Sequence, residues 1–231
     1  MKNSLSLLLA LSLPGIAFAQ ANFDRDIANV TLLQYKEVKD DLKITQKQRD
    51  AMNKAASKYN VLAQKIEQKL QDRKEPTESE KKALDAEFVV MRKGVLTSLT
   101  PAQLKRLREV TLQDAGLFAL TDKIVAKKVG MTEAQRNQVI NALKGANEKA
   151  NKAENAVIEK VRNEFKNRKP KNKAEEDKIK GEIQKRMEAE MKKLEPKIIQ
   201  IHTDGRNNVF KALSTKQRDA WNALLGKPLA R

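Results

Sequence analysis

Apolar residues in this chain recur at steps of three and four over long stretches, and four of those stretches open in the same way. Ile44-Thr45-Gln46-Lys47-Gln48, Leu99-Thr100-Pro101-Ala102-Gln103, Met131-Thr132-Glu133-Ala134-Gln135 and Leu213-Ser214-Thr215-Lys216-Gln217 each read apolar, hydroxyl, two residues, glutamine. A Thr or Ser at an N-cap accepts a hydrogen bond from the backbone N–H three residues on, and a glutamine at that position can reach back to the N-cap N–H. The stretches therefore predict capped helix starts, pairing Thr45 with Gln48, Thr100 with Gln103, Thr132 with Gln135 and Ser214 with Gln217. Pro101 falls at the first helical position, where its missing donor costs nothing. Seven residues beyond each cap stands Met52, Leu107, Val139 or Trp221, so each new helix turns apolar at the same height.

Taken in order, Val30, Leu33, Val38 and Leu42 predict a short amphipathic helix between about Asp26 and Leu42. The Thr45-capped helix runs to about Arg73 with Met52, Ala55, Tyr59, Leu62, Ile66 and Leu70 on one face. Glu75-Pro76-Thr77-Glu78-Ser79 reads as a turn, because Pro76 biases its predecessor away from helix. A helix from about Glu78 to Thr97 carries Leu84, Phe88, Met91 and Val95, and the short loop makes the two antiparallel neighbours. After the Thr100 cap come Leu104, Leu107, Val110 and Leu112, with Gly116 suited to the left-handed position after a helix end. The Thr132-capped helix is longer, to about Arg168, and its seam is thinned by Ala146, Ala150 and Ala153. The return helix from Ile179 to Val209 contains Pro196, which predicts a kink, and Gly205, a second weak point. No strand pattern of convincing length occurs, so the fold class is all-α.

The chain also repeats itself. Val30 matches Leu117, Leu33 matches Leu120, Val38 matches Val125, Leu42 matches Val129 and Ile44 matches Met131, all at the 87-residue offset that separates Thr45 from Thr132. The identities Gln48/Gln135 and Arg49/Arg136 follow. Each half runs short helix, capped hairpin, closing capped helix, so the expected organisation is two tandem units, 20–115 and 116–231. The second hairpin is the longer. The linker around Asp114 to Leu117 is short, which suggests halves packed side by side, elongated or cradle-like.

Residues 1–19 stand apart. Lys2, the apolar run Leu5 to Leu13 and Ala17-Phe18-Ala19 have the form of a secretory signal peptide, too short to span a bilayer. The expected destination is the periplasm, with no transmembrane segment after cleavage. Cysteine is absent, which excludes disulfides and thiolate chemistry. Forty-seven Lys and Arg against 30 Asp and Glu give a formal charge of +17, with only 4% aromatic residues. Such a chain makes narrow apolar seams and much solvated surface. Its basicity suits acidic proteins, anionic membrane surface or acidic polysaccharide; a secreted chain rarely meets nucleic acid. The plainer reading is a solubilising surface.

Groups for catalysis are scarce. His202 is the single histidine, so neither a Ser-His-Asp arrangement nor a His-rich metal site can be built, and its position suits a solvated helix residue. Asp and Glu fall mostly three or four residues from Lys, the spacing of surface ion pairs. Glycine-rich phosphate loops are absent. Trp221 and Tyr59 fall on the apolar register and read as core anchors. The expectation is a non-enzyme without cofactor or metal.

The boxes, opening helices of a small, basic, signal-bearing all-α chain, resemble those of the Spy/CpxP family of periplasmic proteins. Leu99-Thr100-Pro101-Ala102-Gln103 carries the family's Leu-Thr-x-x-Gln in full, and the other three are conservative variants. The resemblance implies helical hairpins whose concave face holds unfolded or partly folded proteins without ATP. It also implies the alternatives of an envelope-stress regulator that docks on one envelope protein, or a branch that binds metal. The lone His and absent Cys speak against the metal branch. Family members usually carry one unit and dimerise, whereas this chain carries two.

Within that frame the boxes are structural caps. Candidate client contacts are the middle of the long hairpin, Ala146, Ala150, Met187 and Met191, where Met can adapt to varied partners. A second candidate is the basic turn that holds Lys166, Arg168, Lys169, Lys171 and Lys173, a concentrated positive field for acidic clients. Ordinary seam packing and a merely soluble tip are the competing readings. The functional expectation is an ATP-independent holdase, with a docking module and an adaptor for anionic lipid or polysaccharide as alternatives.

Overall fold

The computed structural model describes residues 22–230. The expected signal peptide, 1–19, lies outside the described residues. All regular structure among them is helical: α1 (22–27), α2 (Lys36–Asp41), α3 (Gln46–Gln71), α4 (Glu78–Thr97), α5 (Pro101–Ala115), α6 (Lys123–Val129), α7 (Glu133–Phe165), α8 (Lys173–Ala212) and α9 (Thr215–Leu225). Short 3-10 turns, Val30–Gln34 and Gly116–Thr121, precede α2 and α6. The expected single helix over 26–42 is thus a 3-10 turn and a short α-helix. The chain is extended at Tyr35, which caps α2 without a side-chain hydrogen bond. The second copy breaks at the equivalent place, where Asp122 accepts from the N–H groups of Ile124 and Val125.

Helix boundaries follow the repeat. α2 and α6 both end in left-handed residues, Lys43 at φ 52° and Gly130 at φ 81°. Each end is closed by the same backbone bond, Ile44 N–H to Lys39 O at 3.0 Å and Met131 N–H to Ala126 O at 2.9 Å. One copy therefore uses glycine where the other strains a lysine. A further capping box, absent from the sequence reading, opens α4: Thr77 accepts from Glu80 N–H, and Glu80 accepts from Thr77 N–H at 2.9 Å. The stretch expected to be only a turn contains it.

The chain forms two compact units. The first ends at Ala115 and takes back the C-terminal residues from Ala223; the second is Gly116–Asn222. The expected second unit, 116–231, is corrected at its end, because the last residues are bound by α5. The first core gathers Leu32, Val38, Leu42, Ile44, Val95, Leu96, Leu104, Leu107 and Val110. Buried in the second unit are Leu120, Val125, Val129, Val139, Leu143, Val209, Leu213 and Trp221. Of the residues seven beyond the caps, Leu107, Val139 and Trp221 are fully buried or nearly so, and Met52 alone is half-buried.

Two hairpins project from these cores, α3–α4 and α7–α8. Each contains one close approach of small residues. A Cβ on Gly94 would lie 2.7 Å from Ala55 Cβ, and one on Gly205 would lie 2.7 Å from Ala146 Cβ. Gly205 is therefore a packing position rather than a weak point. α8 continues through Pro196, which sits on an exposed part of the helix where the carbonyl it frees can meet water.

Candidate functional site

Each unit is fastened at the base of its hairpin by a pair of glutamines. In the first unit Gln48 Oε1 accepts from Thr45 N–H at 3.0 Å and Gln103 Oε1 accepts from Thr100 N–H at 3.0 Å. The two amides also bond each other: Gln48 Nε2 donates to Gln103 Oε1 at 2.7 Å, and Gln103 Nε2 donates to Gln48 Oε1 at 3.2 Å. Each Nε2 further donates to the end of the helix before the other box, Gln48 to Ser98 O and Gln103 to Leu42 O, both at 3.0 Å.

The second unit repeats the arrangement. Gln135 and Gln217 exchange Nε2-to-Oε1 bonds of 2.9 Å each way, while Gln135 donates to Ala212 O at 2.9 Å and Gln217 to Gly130 O at 2.7 Å. Their Oε1 atoms also accept from Thr132 N–H at 3.0 Å and Ser214 N–H at 2.9 Å. A primary amide has two donors and two acceptor lone pairs, and each of these four side chains uses them all. Two helix starts and two helix ends are satisfied by one amide pair. The sequence identified the four boxes but not their pairing, because partners 55 and 82 residues apart carry no local signal of contact.

The candidate contact residues fall into different environments. Ala146 and Ala150 are 8% and 4% exposed and line the α7–α8 seam, Ala146 directly against Gly205. They face the partner helix, which corrects their assignment as client contacts. Met187 and Met191 are half-buried along α8. Lys166, Arg168, Lys169, Lys171 and Lys173 are all exposed, but Arg168 bonds Glu182 and lies over the Phe165 ring, 5.1 Å from its centroid. The tip thus keeps four uncommitted lysines, and its arginine is engaged by the hairpin itself.

Ion pairs hold the long hairpin in its middle. Glu190, only 7% exposed, accepts from Lys160 at 2.5 Å and from Lys193 and Arg186 at 2.9 Å each. Lys160 and Lys193 hydrogen bonds hold its carboxyl at about 2, well below the usual range. Arg186 also grips Glu164 with two bonds of 2.7 and 3.0 Å. Bonding to Glu164 raises the guanidinium further above its already high value.

Four of the large apolar side chains open to solvent lie on the short hairpin, against Ile199 alone on the long one, among the described residues. α3 has no buried side chain over 26 residues. A groove of about 530 Å³ runs beside it, lined by Leu33, Met52, Tyr59, Phe88, Met91 and Val95, with Lys39 and Arg49 on its walls. Tyr59 and Phe88 meet edge to face with centroids 5.7 Å apart. Val61, Leu70, Val89 and Val90 are 51 to 66% exposed on the same hairpin. Met52 and Tyr59, which periodicity places on a seam, are half-buried and pack against the first core.

Among the described residues, α5 carries the most deeply buried charge. Arg108 is 2% exposed, donates to Asp24 Oδ1 at 3.0 Å and to Leu224 O, and lies 5.6 Å from the Phe23 ring centroid. It joins the first described helix and the C-terminal segment to one point. The register had placed only apolar residues of α5 inside, and a buried arginine next to Leu107 breaks that pattern.

Among the described residues no group of three or more His, Cys, Asp or Glu is placed to hold a metal ion, and no helix is long and apolar enough to cross a membrane. His202 is exposed on α8. Comparison of the chain with family models, with curated proteins and with solved structures gives no match.

Proposed function

We propose that the chain is an ATP-independent holdase of the cell envelope that shields apolar segments of unfolded proteins. The observation that carries this reading is the α3–α4 hairpin: half-buried Met52, Tyr59 and Phe88 line an apolar groove beside the buried Met91 and Val95, walled by Lys39 and Arg49, and α3 itself has no buried side chain. Clients would be drawn by the positive field and held by apolar contact, with long-range attraction setting the rate and burial setting the lifetime. The likeness of the four boxes to those of Spy/CpxP proteins and the signal-like residues 1–19 support the compartment and the class. The hydrogen-bonded caps would keep the bases of the hairpins rigid while their surfaces adapt.

Aggregation of two unrelated unfolding proteins, followed by light scattering at low and high salt, tests the reading. Wild-type protein should suppress both at substoichiometric to equimolar ratios, more slowly but still effectively at high salt. Met52→Lys with Tyr59→Lys should abolish suppression while the circular dichroism stays helical. Changing Lys166, Arg168, Lys169, Lys171 and Lys173 to Gln should slow capture of acidic clients at low salt only. Suppression of neither client, or full suppression by the Met52/Tyr59 variant, would remove the holdase reading from this groove.

A further inference from the structure

The C-terminal residues are not an inert end. Residues 226–230 have no regular structure, yet α5 holds the backbone of this segment and of the helix end before it. Arg108 donates to Leu224 O, and Gln113 Nε2 donates to Leu225 O and to Lys227 O, both at 2.6 Å. Arg106 also donates to Lys227 O at 2.6 Å, and Leu229 N–H donates back to Gln113 Oε1 at 2.9 Å. These bonds read main chain only. The single side-chain anchor is Leu229, half-buried against the first core.

The cleft is larger than its occupant. About 560 Å³ remains beside Pro228 and Leu229, walled by Leu32, Tyr35, Val38 and Val110, with Glu37 and Asp114 at the polar side. A sealed core leaves few voids larger than a water molecule. Here an irregular segment rests on one wall of a roomy apolar cleft. Its entry is Gly226 at φ 63°, where a Cβ would fall 2.2 Å from the Glu109 carboxylate, so the chain enters by a turn that only glycine makes freely.

We propose that this cleft is a peptide-binding site, and that residues 226–230 are a displaceable strap occupying it in cis. The ligand class is an extended segment of a partner protein that offers a branched aliphatic side chain one or two residues after a lysine or arginine. Backbone-directed bonds from Arg106 and Gln113 give affinity independent of sequence, and the apolar wall selects the aliphatic residue. Glu37 and Asp114 favour the cation, a local reversal of sign on a chain of net +17. The site is distinct from the α3–α4 groove and does not depend on the holdase reading.

Leu229→Asp in the full chain should eject the strap, because it sets a carboxylate on an apolar wall near Glu37 and Asp114. A fluorescent peptide with the sequence of residues 223–231 should then bind this variant saturably and at least tenfold more tightly than wild type. Adding Gln113→Ala should return binding to the wild-type level. Equal binding to wild type and Leu229→Asp, or none to a folded Leu229→Asp chain, overturns the proposal. A concentration-dependent wild-type dimer abolished by Leu229→Asp would make a second copy the occupant and overturn the partner assignment. Hydrogen exchange on wild-type protein tests the strap without any variant. The Leu229 amide should exchange more slowly than a free amide and at least tenfold faster than that of the buried Leu107. Protection equal to Leu107, or none, would mean there is no strap.

Discussion

The two hairpins begin with the same capped helix and fasten their bases with the same amide pair, yet their middles are built on different physics. α3–α4 leaves α3 without a buried side chain, holds one edge-to-face aromatic pair and exposes valines on its outer side. α7–α8 buries Val139, Leu143, Ala146, Ala150 and Val161 along one helix and adds a carboxylate, Glu190, held by three cations. A thin seam can be closed by small residues that bring backbones together and by ion pairs across its edges. It can also be left open, and then its apolar residues become surface. The base of each unit supplies order; the middle of each hairpin decides what it presents. The shorter hairpin therefore exposes more large apolar side chains, Val61, Leu70, Val89 and Val90, while the longer one has the richer seam.

The largest effect expected from breaking this comparison is at the bases. Gln217→Ala removes a side chain that serves an N-cap, a partner amide and a helix end. It should cost about 3 kcal/mol, since each buried group left unpaired costs about 1–3 kcal/mol. Gln103→Ala, in the less buried clasp, should cost about 2 kcal/mol on the same scale. Urea unfolding followed by Trp221 fluorescence for the second unit and by circular dichroism for the whole chain separates the two; equal costs below 0.5 kcal/mol, within the scatter of surface substitutions, would make the clasps ornamental.

Next come the close approaches. Gly205→Val should cost about 2 kcal/mol by overpacking against Ala146, whereas Gly94→Val should cost about 1 kcal/mol, because α3, with no fully buried side chain, can shift away. Equal losses in thermal melts would show that the two seams are equally rigid.

The left-handed helix ends offer a smaller and opposite test. Lys43→Gly relieves a strained lysine and should stabilise by up to about 1 kcal/mol, while Gly130→Ala should destabilise by about the same amount. A destabilised Lys43→Gly chain would mean that the Lys43 side chain contributes more than its backbone costs.

The last test is electrostatic and concerns acid. Glu190 ionises at about 2 in the folded chain, below its usual value of 4.5, so its ties contribute fully above the usual carboxylate range. That contribution is lost as pH falls from there through the folded value. Glu190→Gln should therefore flatten the acid limb of a pH–melting profile in this window and leave neutral-pH helicity unchanged. Glu80, also held at about 2 by Lys69 and by the Thr77 N–H, gives the first hairpin its own acid-sensitive tie. Fluorescence of Trp221 should follow the Glu190 variant and ignore Glu80→Gln.

The sequence by itself determined the elements. Capping hydroxyls, glutamines at the third helical position and apolar steps of three and four are local signals, and they gave the all-α class, the 87-residue repeat and the α4 limits Glu78 and Thr97. The fifth box, Thr77 with Glu80, is as local as the rest but closes with glutamate where the other four close with glutamine. Tertiary structure alone decided which boxes pair. It also decided that Ala146 lies against Gly205, that Met52 and Tyr59 are only half-buried where they pack on the first core, and that residues from Ala223 return to the first unit. The physical reason is range. A cap or an amphipathic face is satisfied within a few residues, so its pattern is written where it acts. The Gln48–Gln103 amide pair and the Arg108 bond to Leu224 O join groups 55 and 116 residues apart, and only the folded chain brings them within reach.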